Sequence, residues 1–219
     1  EAEFMKPVFE MLHSVAGGED KWRARPFVSN SNCFVVPPLR FATESCLVME
    51  EAVHNGMPVL LLSAGQAGAT APASIAGAVA QALSEVIAGL IYVNAMKPGH
   101  PCICGTWPFV SDLRTGAMSG GSGEQGLLTA ACAQMLQYYD LPGGAAAGMA
   151  DAKMPDAQSG YEKGSTLVMA GLSGLNMVYE AAGMHASLLG FCLDSLIIDN
   201  DMLGQCLRCV RGIEVNEET

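Results

Sequence analysis

Apolar residues come in short, separated runs along this chain, and segments of helical length lie between them. Val59–Ser63 (VLLLS) is continuous and apolar, the pattern of a strand buried on both faces. Pro101–Gly105 reads as another strand. Gly144–Met149 is in phase with it, although its small residues are weak strand formers. Phe27–Ser29, bounded by Pro26 and the polar Asn30-Ser31-Asn32, predicts the first strand, and Asn176–Tyr179 predicts the fifth.

Helices are expected between these runs. Lys6–Val15 is one, with Gly17-Gly18 behind it, and Thr43–Asn55 is a second, ended by Gly56. Pro72 suits a first helical turn and opens a long helix to about Asn94. Others are expected over Glu124–Tyr139 and from the stretch after Gly148 to Leu172. The remainder to Gly212 reads as mostly helical, with Ile197–Asp201 as a break or a new start. Strand starts recur every ~30–45 residues, the spacing of βα units feeding a parallel sheet. Such crossovers are right-handed, so the loops after the strands emerge on one face. The fold class is α/β of TIM-barrel type, with parallel strands. Five units fall short of the eight of a closed barrel, so a partial barrel is expected.

Composition narrows the class. The chain has 219 residues, half of them hydrophobic and 15% charged, which predicts a large buried core. Abundant Ala and Gly with few aromatics predicts closely packed helices. The first four residues precede Met5 and read as a vector-derived scar, leaving residues 5–219 as a single domain. No signal peptide follows Met5. The most apolar stretch, Thr70–Ala95, carries Gln81, Ser84 and Glu85 at its middle, which favours a core helix over a membrane span. A net charge of −11 argues against nucleic acid or an anionic membrane as partner. The eight cysteines sit in apolar segments of a core-rich chain and read as free thiols of a cytoplasmic protein. Cys206-Leu207-Arg208-Cys209 lacks the second ligand pair of a zinc site, so no metal is expected. Gly116–Gly123 has glycines without the spacing or lysine of a phosphate loop.

Candidate chemistry therefore belongs to the strand-end loops. One holds Trp107, Asp112 and Arg114, and Arg114 could grip a carboxylate with both arms of its fork. The next, residues 148–164 (GMADAKMPDAQSGYEKG), concentrates Asp151, Lys153, Gln158, Tyr161 and Glu162 behind a small-residue run. The fifth unit adds Tyr179, Glu180 and His185. Trp107, Tyr161 and Tyr179 fall on three successive units, and aromatic faces with a nearby carboxylate are what a quaternary ammonium needs. Each of these residues also has a plain reading as packing, a solvated side chain or a surface ion pair. No catalytic residue can be assigned, since no Ser–His–Asp or Cys–His arrangement is evident.

SDLRTGAMSGGSGEQ (Ser111–Gln125), MADAKMPDAQSGYEK (Met149–Lys163), NMVYEAAGM (Asn176–Met184) and RGIEV (Arg211–Val215) occur in that order. Together with Thr70–Pro101 they resemble the trimethylamine methyltransferase family. The resemblance implies a TIM barrel and transfer of a methyl group from a methylated amine to the cobalt of a separate corrinoid protein, with no tightly bound cofactor. No pyrrolysine is written in this sequence, which points to members acting on glycine betaine-like quaternary amines. Arg114 or Lys153 would then meet a betaine carboxylate. Family members are much longer, and this chain resembles their later part. The alternatives are a non-catalytic module that binds a quaternary amine, or an oligomer associated through strand edges.

Overall fold

The computed structural model describes residues 1–219. Two helices, α1 (Met5–Ala16) and α2 (Glu19–Ala24), lead into five βα units. These are β1 (Asn30–Cys33), α3 (Thr43–His54), β2 (Val59–Ser63), α4 (Ile75–Met96), β3 (Cys102–Thr106), α5 (Gly123–Tyr138), β4 (Gly143–Ala146), α6 (Ala157–Leu172), β5 (Met177–Tyr179) and α7 (Leu193–Val210). The strands form one sheet in chain order. Every pairing is parallel, for example Val59 with Cys102 and Gly144 with Met177. β1 and β5 each have one neighbour, so the sheet is an open, partial TIM-barrel type.

Side chains alternate across each strand. Val59, Leu61 and Cys104 face the helices and join a core with Trp22, Met49, Val86, Leu128 and Leu136. Leu60 and Leu62 take the opposite face, and a Cβ on Gly105 would meet both. Small residues let the layers approach. A Cβ on Gly89 of α4 would lie 2.3 Å from the Phe34 ring. α4 is the one helix with the length and hydropathy to cross a membrane, and its Ala78–Ala82–Val86–Val93 face is buried in this core. Its Glu85 is buried too, and accepts hydrogen bonds from the Ser63 hydroxyl, the Leu39 amide and Gln81. The eight cysteines are unpaired. Burial pushes the Cys104 and Cys132 thiols up to about 12, while Cys33 and Cys209 lie at the surface.

Three expectations are corrected. The first strand is Asn30–Cys33 rather than Phe27–Ser29. Asn30, Ser31 and Asn32 are therefore the strand and not the loop after it. Asn32 can be buried because its amide donates to the Asn30 carboxamide and the Ser45 carbonyl. Phe27 stays half-exposed and packs edge-on to Trp22. The long loop after β3 contains strands Phe109–Ser111 and Met118–Ser119, which pair with each other, and Phe109–Ser111 also pairs with Gln66–Ala67. Residues 180–192 are not helical. They form a hairpin of Met184–His185 with Gly190–Phe191, and α7 then runs unbroken through Ile197–Asp201.

Candidate functional site

The strand ends position two aromatic rings against each other. The Trp107 amide bonds to the Ser63 carbonyl at 2.8 Å, which extends the sheet by one residue and fixes the indole. Its ring lies 5.7 Å from that of Tyr179, tilted by 41°. Gly144 makes room, because the Tyr179 hydroxyl occupies the place its side chain would take. Trp107 Nε1 and Tyr179 Oη are buried without a hydrogen-bond partner, although each ring keeps part of its surface exposed. Burial pushes the Tyr179 phenol well above its ordinary range.

Glu180 follows at once, in a left-handed conformation with φ of 60°. Its Oε2 is buried and unpartnered. Burial raises the carboxyl above its ordinary value of 4.5. The folded state therefore holds this proton more tightly than the unfolded state. The resulting stability is full below 4.5 and is lost as pH rises through the raised value. Glu180→Gln removes the charge at constant shape. It is expected to stabilise the protein near neutral pH by about 1 kcal/mol, discounted for the partial exposure of the group. Well below 4.5 it should change nothing. Thermal melts at both pH values check this.

A cleft of about 900 Å³ opens among the loops after β3, β4 and β5. Asp112, Arg114, Asp151 and Lys153 line it together. Arg114 donates through Nε and Nη2 to the two Asp112 oxygens, at 3.2 and 3.1 Å. These bonds hold the Asp112 carboxyl down at about 2. The guanidinium is 89% exposed, so a ligand carboxylate that captured it would displace Asp112. Lys153 is exposed on the same cleft. Asp151 is engaged differently. Its carboxylate accepts from the Ser119 hydroxyl at 2.5 Å, the Gly120 and Gly121 amides at 2.8 and 3.3 Å, and the Ser187 hydroxyl. Glu162 accepts from the Asp151 and Ala152 amides and from Gln158, so Gln158 and Glu162 brace this loop from below. Tyr161 stands 65% exposed on α6, apart from the Trp107–Tyr179 pair.

One wall of the cleft is an unusual turn. Ala186, Ser187 and Leu188 all have positive φ, between 50° and 75°. Left-handed backbone costs a non-glycine residue roughly 1–2 kcal/mol. The Ala186 and Ser187 amides recover part of this by bonding to the Ala152 and Ala150 carbonyls, both at 3.0 Å. Beneath the turn lies a buried ionic cluster. Lys163 Nζ donates to Asp199 at 2.6 Å and approaches His185 Nε2 at 3.3 Å. His185 also meets the Ser195 hydroxyl and, through Nδ1, the Ala152 carbonyl.

Of the residues singled out from sequence, Trp107 with Tyr179 form one group and Asp112, Arg114, Asp151 and Lys153 another, both at the strand ends. Met118 joins them, lining the cleft and packing in the cluster that holds Trp107. Sequence reasoning placed Glu180 on a strand-end loop without giving it a role, and gave none to Lys163. The only sequence signal for Glu180 was its place one residue past a strand end.

Fold and cleft define a class: a parallel α/β sheet of TIM-barrel type with a cleft at the carboxyl ends of its strands. Residues 1–219 match the family described as trimethylamine methyltransferase (MTTB), and the chain belongs to it. It is 35% identical to trimethylamine methyltransferase MttB of Desulfitobacterium hafniense over 98% of this chain and 43% of that protein. It is 34% identical to MttB of Methanosarcina thermophila over 93% of this chain and 42% of that protein. A glycine betaine methyltransferase of Desulfitobacterium hafniense is 33% identical, over 95% of this chain and 43% of its own length. The chain thus spans under half the length of these relatives.

Proposed function

We propose that this chain carries the amine-binding strand ends of a methyltransferase that moves a methyl group from a quaternary or tertiary methylamine, glycine betaine-like, to a corrinoid on a separate protein. The observation that carries this is the Trp107–Tyr179 ring pair followed directly by Glu180, whose carboxylate has one oxygen buried and unpartnered. A methylated ammonium has few or no protons to donate. It is held by aromatic faces and by charge, and these are what the strand ends offer. A cation would also offset the desolvation that raises the Glu180 carboxyl.

The partner's Co(I) would supply the nucleophile and keep the methyl group, while the amine leaves neutral with the electron pair of the broken C–N bond. A quaternary amine needs no proton transfer for this, so the protein's residues need only orient one N-methyl outward and exclude water. Arg114 is the group on the cleft suited to a substrate carboxylate, in exchange for Asp112.

Trp107→Ala should weaken binding of a quaternary amine roughly thirtyfold, corresponding to about 2 kcal/mol for a desolvated cation–π contact. Titration calorimetry with glycine betaine, tetramethylammonium and trimethylamine checks this. Equal affinity of wild type and variant for all three would remove the aromatic pair from the site.

A further inference from the structure

Asp151 lies on the cleft, yet its carboxylate is already met by four donors from two other loops. A free carboxylate would be a ligand for a cation. This one is committed to the protein. Ser119, Gly120 and Gly121 come from the loop after β3, and Ser187 comes from the left-handed turn after β5. The turn's other ties run to Ala150 and Ala152, the residues on either side of Asp151. Those two backbone bonds are placed by Asp151's own segment, which Glu162 braces through the Asp151 and Ala152 amides. All these connections converge on one residue.

We propose that Asp151 is a positioning residue: it fastens the strained 186–188 turn to the β3 loop and so sets the shape of the cleft, without itself touching the ligand. The proposal builds on the amine-site reading given above, but its test does not need that reading to hold. Ala186, Ser187 and Leu189 line the same cleft as Asp112 and Arg114. If the Ser187 bond is lost, the left-handed turn keeps its strain and loses its anchor. It should relax, and the wall should move with it.

The test is amide hydrogen exchange read by mass spectrometry on the full chain. Asp151→Asn and Ser187→Ala are compared with the wild type, singly and together. Asp151→Asn should raise exchange about tenfold or more at Ala186 and Ser187, with β2 and β3 amides unchanged. Ser187→Ala should raise it at the same amides. The double variant should add little to Asp151→Asn, because both single changes break one connection. Exchange at 186–187 unchanged in Asp151→Asn would overturn the proposal. So would a uniform rise across the sheet, which would make Asp151 a general stabiliser. Glycine betaine titration supplies a third arm. Weaker binding in Asp151→Asn, with the turn still protected, would make Asp151 a ligand contact and overturn the positioning role. If the wild type binds no amine at all, the exchange result still decides the matter, and only the amine reading fails.

Discussion

Asp199→Ala is expected to cost about 3–5 kcal/mol of folding stability, because it strands a charge in the interior. Lys163 has no solvent exposure, and its ammonium sits 2.6 Å from Asp199. The same Asp199 oxygen also accepts the Gly183 amide at 2.7 Å. Removing it leaves that amide unpaired and the ammonium with only His185 Nε2, at 3.3 Å. The loss should appear as a lower urea midpoint with little change in slope. The double variant Lys163→Met with Asp199→Leu should recover most of it, since apolar side chains of similar volume avoid the desolvation that the ion pair must overcome. An Asp199→Ala loss below about 1 kcal/mol would mean the ammonium finds water or another partner.

Gly144→Ala is expected to weaken amine binding at least about tenfold while leaving a folded protein. A Cβ there would lie 1.6 Å from the Tyr179 hydroxyl and 2.5 Å from its ring carbon Cζ. No adjustment of a few tenths of an ångström absorbs that overlap, so the ring must swing away. Overpacking of this kind costs about 1–3 kcal/mol. The 5.7 Å contact with Trp107 goes with it, which tryptophan fluorescence would report. Affinity for a quaternary amine should fall at least about tenfold, the loss of one aromatic wall. Gly160 on α6 has open space around it, so Gly160→Ala is the matched control and should bind as the wild type does. An unchanged affinity in Gly144→Ala would place the ligand elsewhere than on Tyr179.

The parallel architecture was legible because its central strands obey simple rules. Val59–Ser63 is continuous and apolar because the strand lies inside the sheet and is buried on both faces. Asp156 announces α6 by accepting a hydrogen bond from the Ser159 amide, as a polar residue before a helix should. The first strand was hidden for a physical reason. Asn30 and Asn32 look like a turn, and the amide of the buried Asn32 is satisfied there by the Asn30 carboxamide and the Ser45 carbonyl of the next helix. The hairpin after β5 was hidden likewise. Nothing local favours three left-handed residues at Ala186-Ser187-Leu188, and bonds to Ala150, Asp151 and Ala152 impose them. Asp199 resembled a helix break because its partner, Lys163, lies 36 residues away.

The site divides in the same way. That Asp112, Arg114, Asp151 and Lys153 share one cleft follows from topology, since the loops after successive parallel strands meet on one face. What each side chain does there depends on bonds across loops. Asp151 and Glu162 spend their carboxylates on backbone amides and hydroxyls, and Tyr161 turns outward from α6. Glu180 gains its character from partial burial, which no spacing rule encodes.

Methyl transfer to free reduced cobalamin tests the central claim most directly. The Co(I) spectrum would be followed as glycine betaine, tetramethylammonium and trimethylamine are supplied singly to folded protein. The account predicts loss of the Co(I) bands and formation of methylcobalamin with a quaternary amine, and a much slower reaction with the Trp107→Ala and Gly144→Ala variants. Transfer at equal rates in the wild type and both variants would contradict it, as would no transfer from any of the three amines.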